Sequence, residues 1–231
     1  MDFLEIIALP EKERGQPMLE LAKSGSDEAC VAYAQLIFKD KYKGTQVDGQ
    51  SKESAKVEAR SAAPELLMEA AKRGYLPAMI LGKDSTFYGV HGAMFKKLCK
   101  TDYRTAIEFI DLLLEKPESE AQKAEALLQK ATCLECISSG SDKPWEDIIA
   151  LLLEASSVEG EFGDRAKVRL GSRAFDESKW DESIELLTPF QKTDLSASAH
   201  LVVIYKTHKP DNDKYHHAVD CCRAICESKK K

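Results

Sequence analysis

An aromatic residue that opens a short apolar segment recurs along the chain at a fixed distance, and this period limits the possible folds. Trp145, Trp180 and Tyr215 follow one another at intervals of 35 residues, and an earlier copy begins at Tyr103, 42 residues before Trp145. A period of roughly 20–50 residues is typical of repeat arrays, in which each unit buries its apolar face against its neighbour. We therefore expect stacked copies of one supersecondary unit.

The residue pattern between the aromatic positions is helical. Leu, Ala, Glu and Lys are abundant, alternating β-branched runs are scarce, and Gly or Pro separates the apolar segments. Pro64 is expected in the first turn of a helix that ends before Gly74. The later helices are predicted at 102–116, 119–137, 144–157, 163–175, 178–190, 195–207 and 213–227.

The predicted fold is all-α: a right-handed α-solenoid of about five to six helix-turn-helix repeats. It forms a single repeat domain over 1–231. Three segments interrupt or follow the repeats: a polar insertion at about 44–61, a loop at about 89–100, and a disordered basic tail at 228–231.

The residues around the aromatic positions resemble the tetratricopeptide (TPR) family. Gly171 of Leu170-Gly171 lies nine residues before Trp180, and Ser183-Ile184 stands where the TPR pattern has Ala-Ile. Ala106-Ile107 and Ala218-Val219 occupy the same second-helix positions.

Other segments resemble the Sel-one-like subgroup of helical repeats. Residues 69–74 through Leu81-Gly82, and Ala166 through Leu170-Gly171, are similar to its pattern of a Lys-Ala-Ala-x-x-Gly turn, an Ala and a Leu-Gly pair. Two units depart from it, with Glu135-Cys136 and Tyr205-Lys206 in place of Leu-Gly. The resemblance implies that the first helix of each hairpin lines a concave groove. It also implies a scaffold, adaptor or co-chaperone without chemistry of its own.

Three basic residues precede the aromatic positions of the last three units by the same number of positions, each on a first helix: Lys130, Arg165 and His200. Arg169 lies one turn beyond Arg165 and shares its face. A column of cationic groups in an acidic protein suggests a groove for an acidic peptide or a free C-terminal carboxylate. The alternative is a solvated helix face whose charges pair with nearby acids such as Glu125 and Asp164.

Cysteine and histidine residues form the second candidate site. Cys133-x-x-Cys136 has redox or zinc spacing, and three cysteines at 221, 222 and 226 follow His216 and His217. Zinc needs four such ligands, and a second Cys-x-x-Cys is missing. Because cysteine is among the most buried residue types, we expect core packing here, with no metal and no cofactor.

The composition of the chain and the absence of certain motifs argue against several classes of function. The net charge is −6 with acids and bases interleaved, which argues against nucleic-acid binding. No segment has the length of a membrane span, residues 1–7 do not resemble a signal peptide, and the seven cysteines are typical of a reduced, cytoplasmic protein. No catalytic motif is present, so we do not expect an enzyme.

The sequence thus predicts a noncatalytic protein–protein interaction module, an adaptor, scaffold or co-chaperone that binds a peptide or another protein in its groove. The alternative is a regulatory inhibitor, immunity protein or secretion chaperone that masks an enzyme or effector. A third possibility is an enzyme or metal-binding protein that uses the cysteines and histidines.

Overall fold

The structure, a computed structural model, describes residues 1–39, 51–87, 103–138 and 144–229. Every regular element in these ranges is helical, which confirms the all-α class. The α-helices are α1 Phe3–Ala8, α2 Gly15–Lys23, α3 Asp27–Phe38, α4 Lys52–Lys72, α5 Leu76–Phe87, α6 Tyr103–Glu115, α7 Glu120–Ile137, α8 Trp145–Ser156, α9 Glu161–Asp176, α10 Trp180–Leu187, α11 Leu195–Val203 and α12 Asn212–Ser228. Two 3-10 helices, Glu11–Glu13 and Thr188–Phe190, and a π-helix, Ile204–His208, complete the set.

The chain divides into two compact units. The first comprises Met1–Pro117 with Cys133–Gly140, and the second comprises Glu118–Thr132 with Ser141–Lys231. In the first unit α2 packs on α3, α3 on α4, α4 on α5, and α5 on α6. In the second unit α8 packs on α9, α9 on α10, and α11 on α12, while α9 also contacts α11.

In the first unit, α2 and α4 are each followed by a glycine with a left-handed backbone conformation. Gly25 and Gly74 have φ of +104° and +90°. In each turn the glycine N–H and the next N–H donate back to carbonyls of the preceding helix. This is the Schellman arrangement, which favours Gly because a Cβ is strained at positive φ.

Helix α4 is longer than the sequence pattern predicts. It begins after Ser51, whose side chain accepts a hydrogen bond from the Ser54 N–H, and it runs through Pro64. The prediction that Pro64 lies in a first turn is therefore wrong. Small residues explain the extension, because Ala55, Ala59 and Ala63 recur every four residues and are all buried.

The observed helix bounds can be compared with the three segments that the sequence predicts to be irregular. Residues 52–61 of the predicted insertion are helical, and the part before Ser51 lies outside the described residues. The loop predicted at 89–100 lies outside them too. The predicted tail begins too early, because α12 includes Ser228.

Glycines of the two Leu-Gly pairs lie where helices approach closely. A Cβ on Gly82 of α5 would overlap the ring of Phe109 in α6. A Cβ on Gly171 of α9 would lie 2.5 Å from a methyl carbon of Leu187 in α10. In each case the glycine lets a helix pack tightly on the next one. The residue three positions after each of the four aromatic residues is fully buried: Ala106, Ile148, Ser183 and Ala218.

Candidate functional site

Trp180, the first residue of α10, is half-buried in a row of four rings in the second unit. Its indole stacks on the His208 imidazole with centroids 3.9 Å apart and an interplanar angle of 9°. Phe175 of α9 contacts it edge-on at 5.4 Å, and His200 of α11 packs on Phe175 at 4.5 Å. The row therefore joins α9 and α10 to α11 and its π-helical extension.

Trp145, the first residue of α8, makes a related contact with α9. The guanidinium carbon of Arg173 lies 3.9 Å from the centroid of the Trp145 ring. Arg173 also forms an ion pair with Glu177, whose carboxylate pairs with Lys179 as well, both at 2.7 Å. Hydrogen bonds from Lys179 and Arg173 hold the pKa of Glu177 below its ordinary value.

The two tryptophans have the same kind of partner at the same distance along the chain. The sequence separation between Trp145 and Arg173 equals the separation between Trp180 and His208. Sequence reasoning identified the aromatic positions and missed these partners. The constant offset of a basic residue was the signal that would have found them.

Arg169, a predicted groove residue, ties two helices together. Its Nη1 donates to the Thr132 hydroxyl at 2.7 Å and to the Leu128 carbonyl at 3.2 Å, so α9 is bonded to α7 within the second unit. Partial burial of this guanidinium between helices makes it a packing contact.

Arg165, one turn earlier on α9, has a different environment. Its side chain is 59% exposed, and the ion pair with Glu161 measures 3.9 Å. Such a long pair between exposed groups contributes little to stability, so the guanidinium is accessible to a ligand.

The His200 side chain is more buried than a cation that lines an open groove would be. Its Nδ1 is 3.4 Å from the Ser172 hydroxyl, and its ring covers Phe175. Burial lowers the pKa of His200 from its ordinary value, against the opposing effect of Asp176 and Asp194. The imidazole is therefore neutral at pH 7 and supplies no positive charge there.

Lys130 is half-buried on α7, and the four predicted residues are distributed over α7, α9 and α11. The structure brings Arg169 to α7 and His200 to α9. His200 contacts Ser172, which lies about two helical turns along α9 from Arg165. The alignment of Lys130, Arg165 and His200 as one column stays a prediction.

The cysteines are divided between core and surface. Cys133 is buried, which raises the pKa of its thiol to about 12, whereas Cys136 is exposed. On α12, the buried Cys221 lies 3.8 Å from His217 Nε2. Burial also raises the pKa of the Cys222 thiol, despite its hydrogen bond with Ser198. Among the described residues no three His, Cys, Asp or Glu side chains are grouped to hold a metal ion.

None of the helices in the described ranges combines the length and the apolarity that crossing a membrane requires. In comparisons with known proteins, no family model matches the chain, and neither a curated protein nor a solved structure matches it.

Proposed function

We propose that this chain is a TPR- or Sel-one-like array, a right-handed superhelical solenoid of about five to six helical hairpins. It binds an acidic segment of another protein along its first helices. The tight approach of α5 to α6 at Gly82 and of α9 to α10 at Gly171 supports the hairpin pairing. The array acts without chemistry, as an adaptor, scaffold or co-chaperone. The cysteines in the described part of the chain are all free, which supports a cytoplasmic location.

The environment of Arg165 is the observation that carries the binding proposal. Arg169 fixes this part of α9 against α7, and Arg165 presents its guanidinium to solvent one turn away. A positioned guanidinium can bind a carboxylate with two parallel hydrogen bonds, which gives both affinity and orientation. Lys130, on the preceding first helix, adds positive charge to the same proposed surface.

Titration of acidic peptides tests this proposal. An array of Asp- and Glu-rich peptides with free C-terminal carboxylates selects the tightest binder, which is then titrated by fluorescence anisotropy. We expect Arg165→Glu to weaken binding at least about tenfold, because an attraction becomes a repulsion.

Lys167→Glu on the same helix is the matched control. Lys167 lies two residues from Arg165 and therefore faces away from it, and it pairs with Asp164 at 3.6 Å. The control should bind as the wild type does, and added salt should weaken wild-type binding. Failure of the wild-type protein to bind any acidic peptide, or equal binding by Arg165→Glu, rules the proposal out.

A further inference from the structure

A stripe of residues along one side of α12 is less covered than the equivalent stripe in the preceding hairpin. Tyr215, Val219, Cys222 and Cys226 follow Trp180, Ile184, Leu187 and Gln191 by 35 residues each. In the earlier copy Leu187 is 0% exposed and Gln191 is 7% exposed. Trp180 and Ile184 are half-buried in the earlier copy, as Tyr215 and Val219 are on α12. The two copies differ at the last two positions, because Cys222 is half-buried and Cys226 is exposed.

The next first helix, α11, covers the earlier copy of the stripe. Leu187 shares a core cluster with Ala197, Leu201 and Tyr205, which belong to α11 and its π-helical extension. The Ser198 hydroxyl of α11 also donates to the Gln191 carbonyl. The interface that α12 leaves open therefore has a known occupant in the preceding hairpin, namely an apolar face of a first helix.

Helix α1 has such a face open. Ile6 is buried and Phe3 packs on the core of the first unit, whereas Met1, Leu4 and Ile7 are 70%, 71% and 39% exposed. Leu4 and Ile7 are three positions apart and so lie on one side of α1, and Met1 precedes the helix. By the alternation of first and second helices, α1 is a first helix that packs on α2.

We propose that a second copy of this chain docks head to tail, with the exposed face of its α1 covering the open stripe of α12. The contact continues the packing of α11 on α10, and it rests on the repeat register of the proposed array. It joins two different surfaces, so it is heterologous and adds copies in a row. One helix on one stripe buries little area, so the association is weak and requires a high protein concentration.

Sedimentation equilibrium over a wide concentration range tests this inference. The average mass should rise above the 25.7 kDa of one chain as the protein concentration increases. Leu4→Glu and Val219→Glu should each abolish the rise, and Cys226→Glu, at an exposed position of the same stripe, should repeat the second result. Leu153→Glu is the control, because Leu153 is a 56%-exposed apolar residue of α8 outside both surfaces, and it should associate as the wild type does.

A mixture of two variants distinguishes head-to-tail contact from other arrangements. Leu4→Glu retains an intact α12, and Val219→Glu retains an intact α1, so together they should form a dimer of one copy each and nothing larger. Circular dichroism confirms that each variant is folded. A wild-type protein that stays monomeric overturns the inference, as does a Leu4→Glu variant that self-associates. A monomeric protein that binds the acidic peptide overturns the inference alone and leaves the proposed function standing.

Discussion

Ser178 occupies a backbone conformation that the equivalent turns give to glycine. Its φ is +61°, and its N–H and that of Lys179 donate to the carbonyls of Phe175 and Ala174. The turns at Gly25 and Gly74 have the same pattern. A side chain at positive φ costs roughly 1 kcal/mol or more, so this turn carries strain that the other two lack.

Ser178→Gly should therefore stabilise the protein, by about 0.5–1 kcal/mol in the free energy of unfolding, measured by urea denaturation. Ser157→Gly is the control, because Ser157 has φ of −74° at the end of α8 and gains nothing from glycine. A destabilised Ser178→Gly variant would show that the left-handed turn is not strained.

Arg165 and Arg169 are one turn apart and yet have separate roles. Arg169→Ala removes charged hydrogen bonds to Thr132 and Leu128 and should lower the unfolding free energy by about 1.5–3 kcal/mol. Arg165→Ala should change it by no more than about 0.5 kcal/mol. Thermal denaturation of both variants measures the difference, and equal effects would contradict the assignment.

His200 makes stability depend on pH. Its pKa in the folded protein lies below the ordinary value of 6.5, so the unfolded chain binds the proton first as the pH falls. The contribution of the neutral ring is complete above the unfolded pKa and is lost as the pH falls below about 6.5. Between pH 7 and pH 5.5 the wild-type protein should lose more stability than His200→Gln, by urea denaturation at each pH. Parallel losses would mean that burial does not shift this group.

At the scale of the element, Trp180 holds α10 to the segment after α11 through its stack with His208. Trp180→Ala should cost about 2–3 kcal/mol, below the range for a fully buried Trp because the ring is half-buried. The double-mutant cycle with His208→Ala should give a coupling free energy of about 0.5–1.5 kcal/mol. A coupling near zero would show that the two rings do not contact each other in solution.

Helix bounds show which elements are predictable from local sequence. Those from α6 to α12 are predicted within a few residues, because each apolar segment is closed by its own Gly, Pro or Asp. The sequence pattern does not predict the start of α4, because most residues in the first half of this helix are polar or small. Among the described side chains of this half, Ala55, Ala59 and Ala63 are the buried stripe that packs on the core. Alanine contributes little to a hydrophobic pattern, so the packing role of these residues becomes clear when the neighbouring helix is known.

The helices that carry the candidate site residues are predictable from the sequence, and the contacts of those residues are not. Lys130, Arg165 and His200 lie on α7, α9 and α11, each within a helix that the sequence predicts. The repeat period does not predict the hydrogen bond from Arg169 to Leu128, which joins residues 41 positions apart. It also does not predict the burial that keeps the His200 imidazole neutral. Both depend on side-chain packing between helices. Of the basic residues in the predicted column, His200 therefore contributes no positive charge at pH 7.

At the scale of the whole molecule, one period accounts for three kinds of observation. It aligns the buried positions Ile148, Ser183 and Ala218, and it aligns both tryptophans with basic partners at one constant offset along the chain. It also pairs the covered stripe of α10 with the open stripe of α12. We propose that recognition takes place around the exposed Arg165 on the first helices, whereas the tryptophans that begin α8 and α10 hold neighbouring helices together.

The most direct test of that separation is the mapping of a bound acidic peptide by amide chemical-shift changes in the labelled protein. The peptide carries a free C-terminal carboxylate and is the tightest binder from the array. We predict the largest changes on α7, α9 and α11 around Lys130, Arg165 and His200, and small changes on α8 and α10. Changes concentrated on α8 and α10, with α9 unaffected near Arg165, would contradict the account.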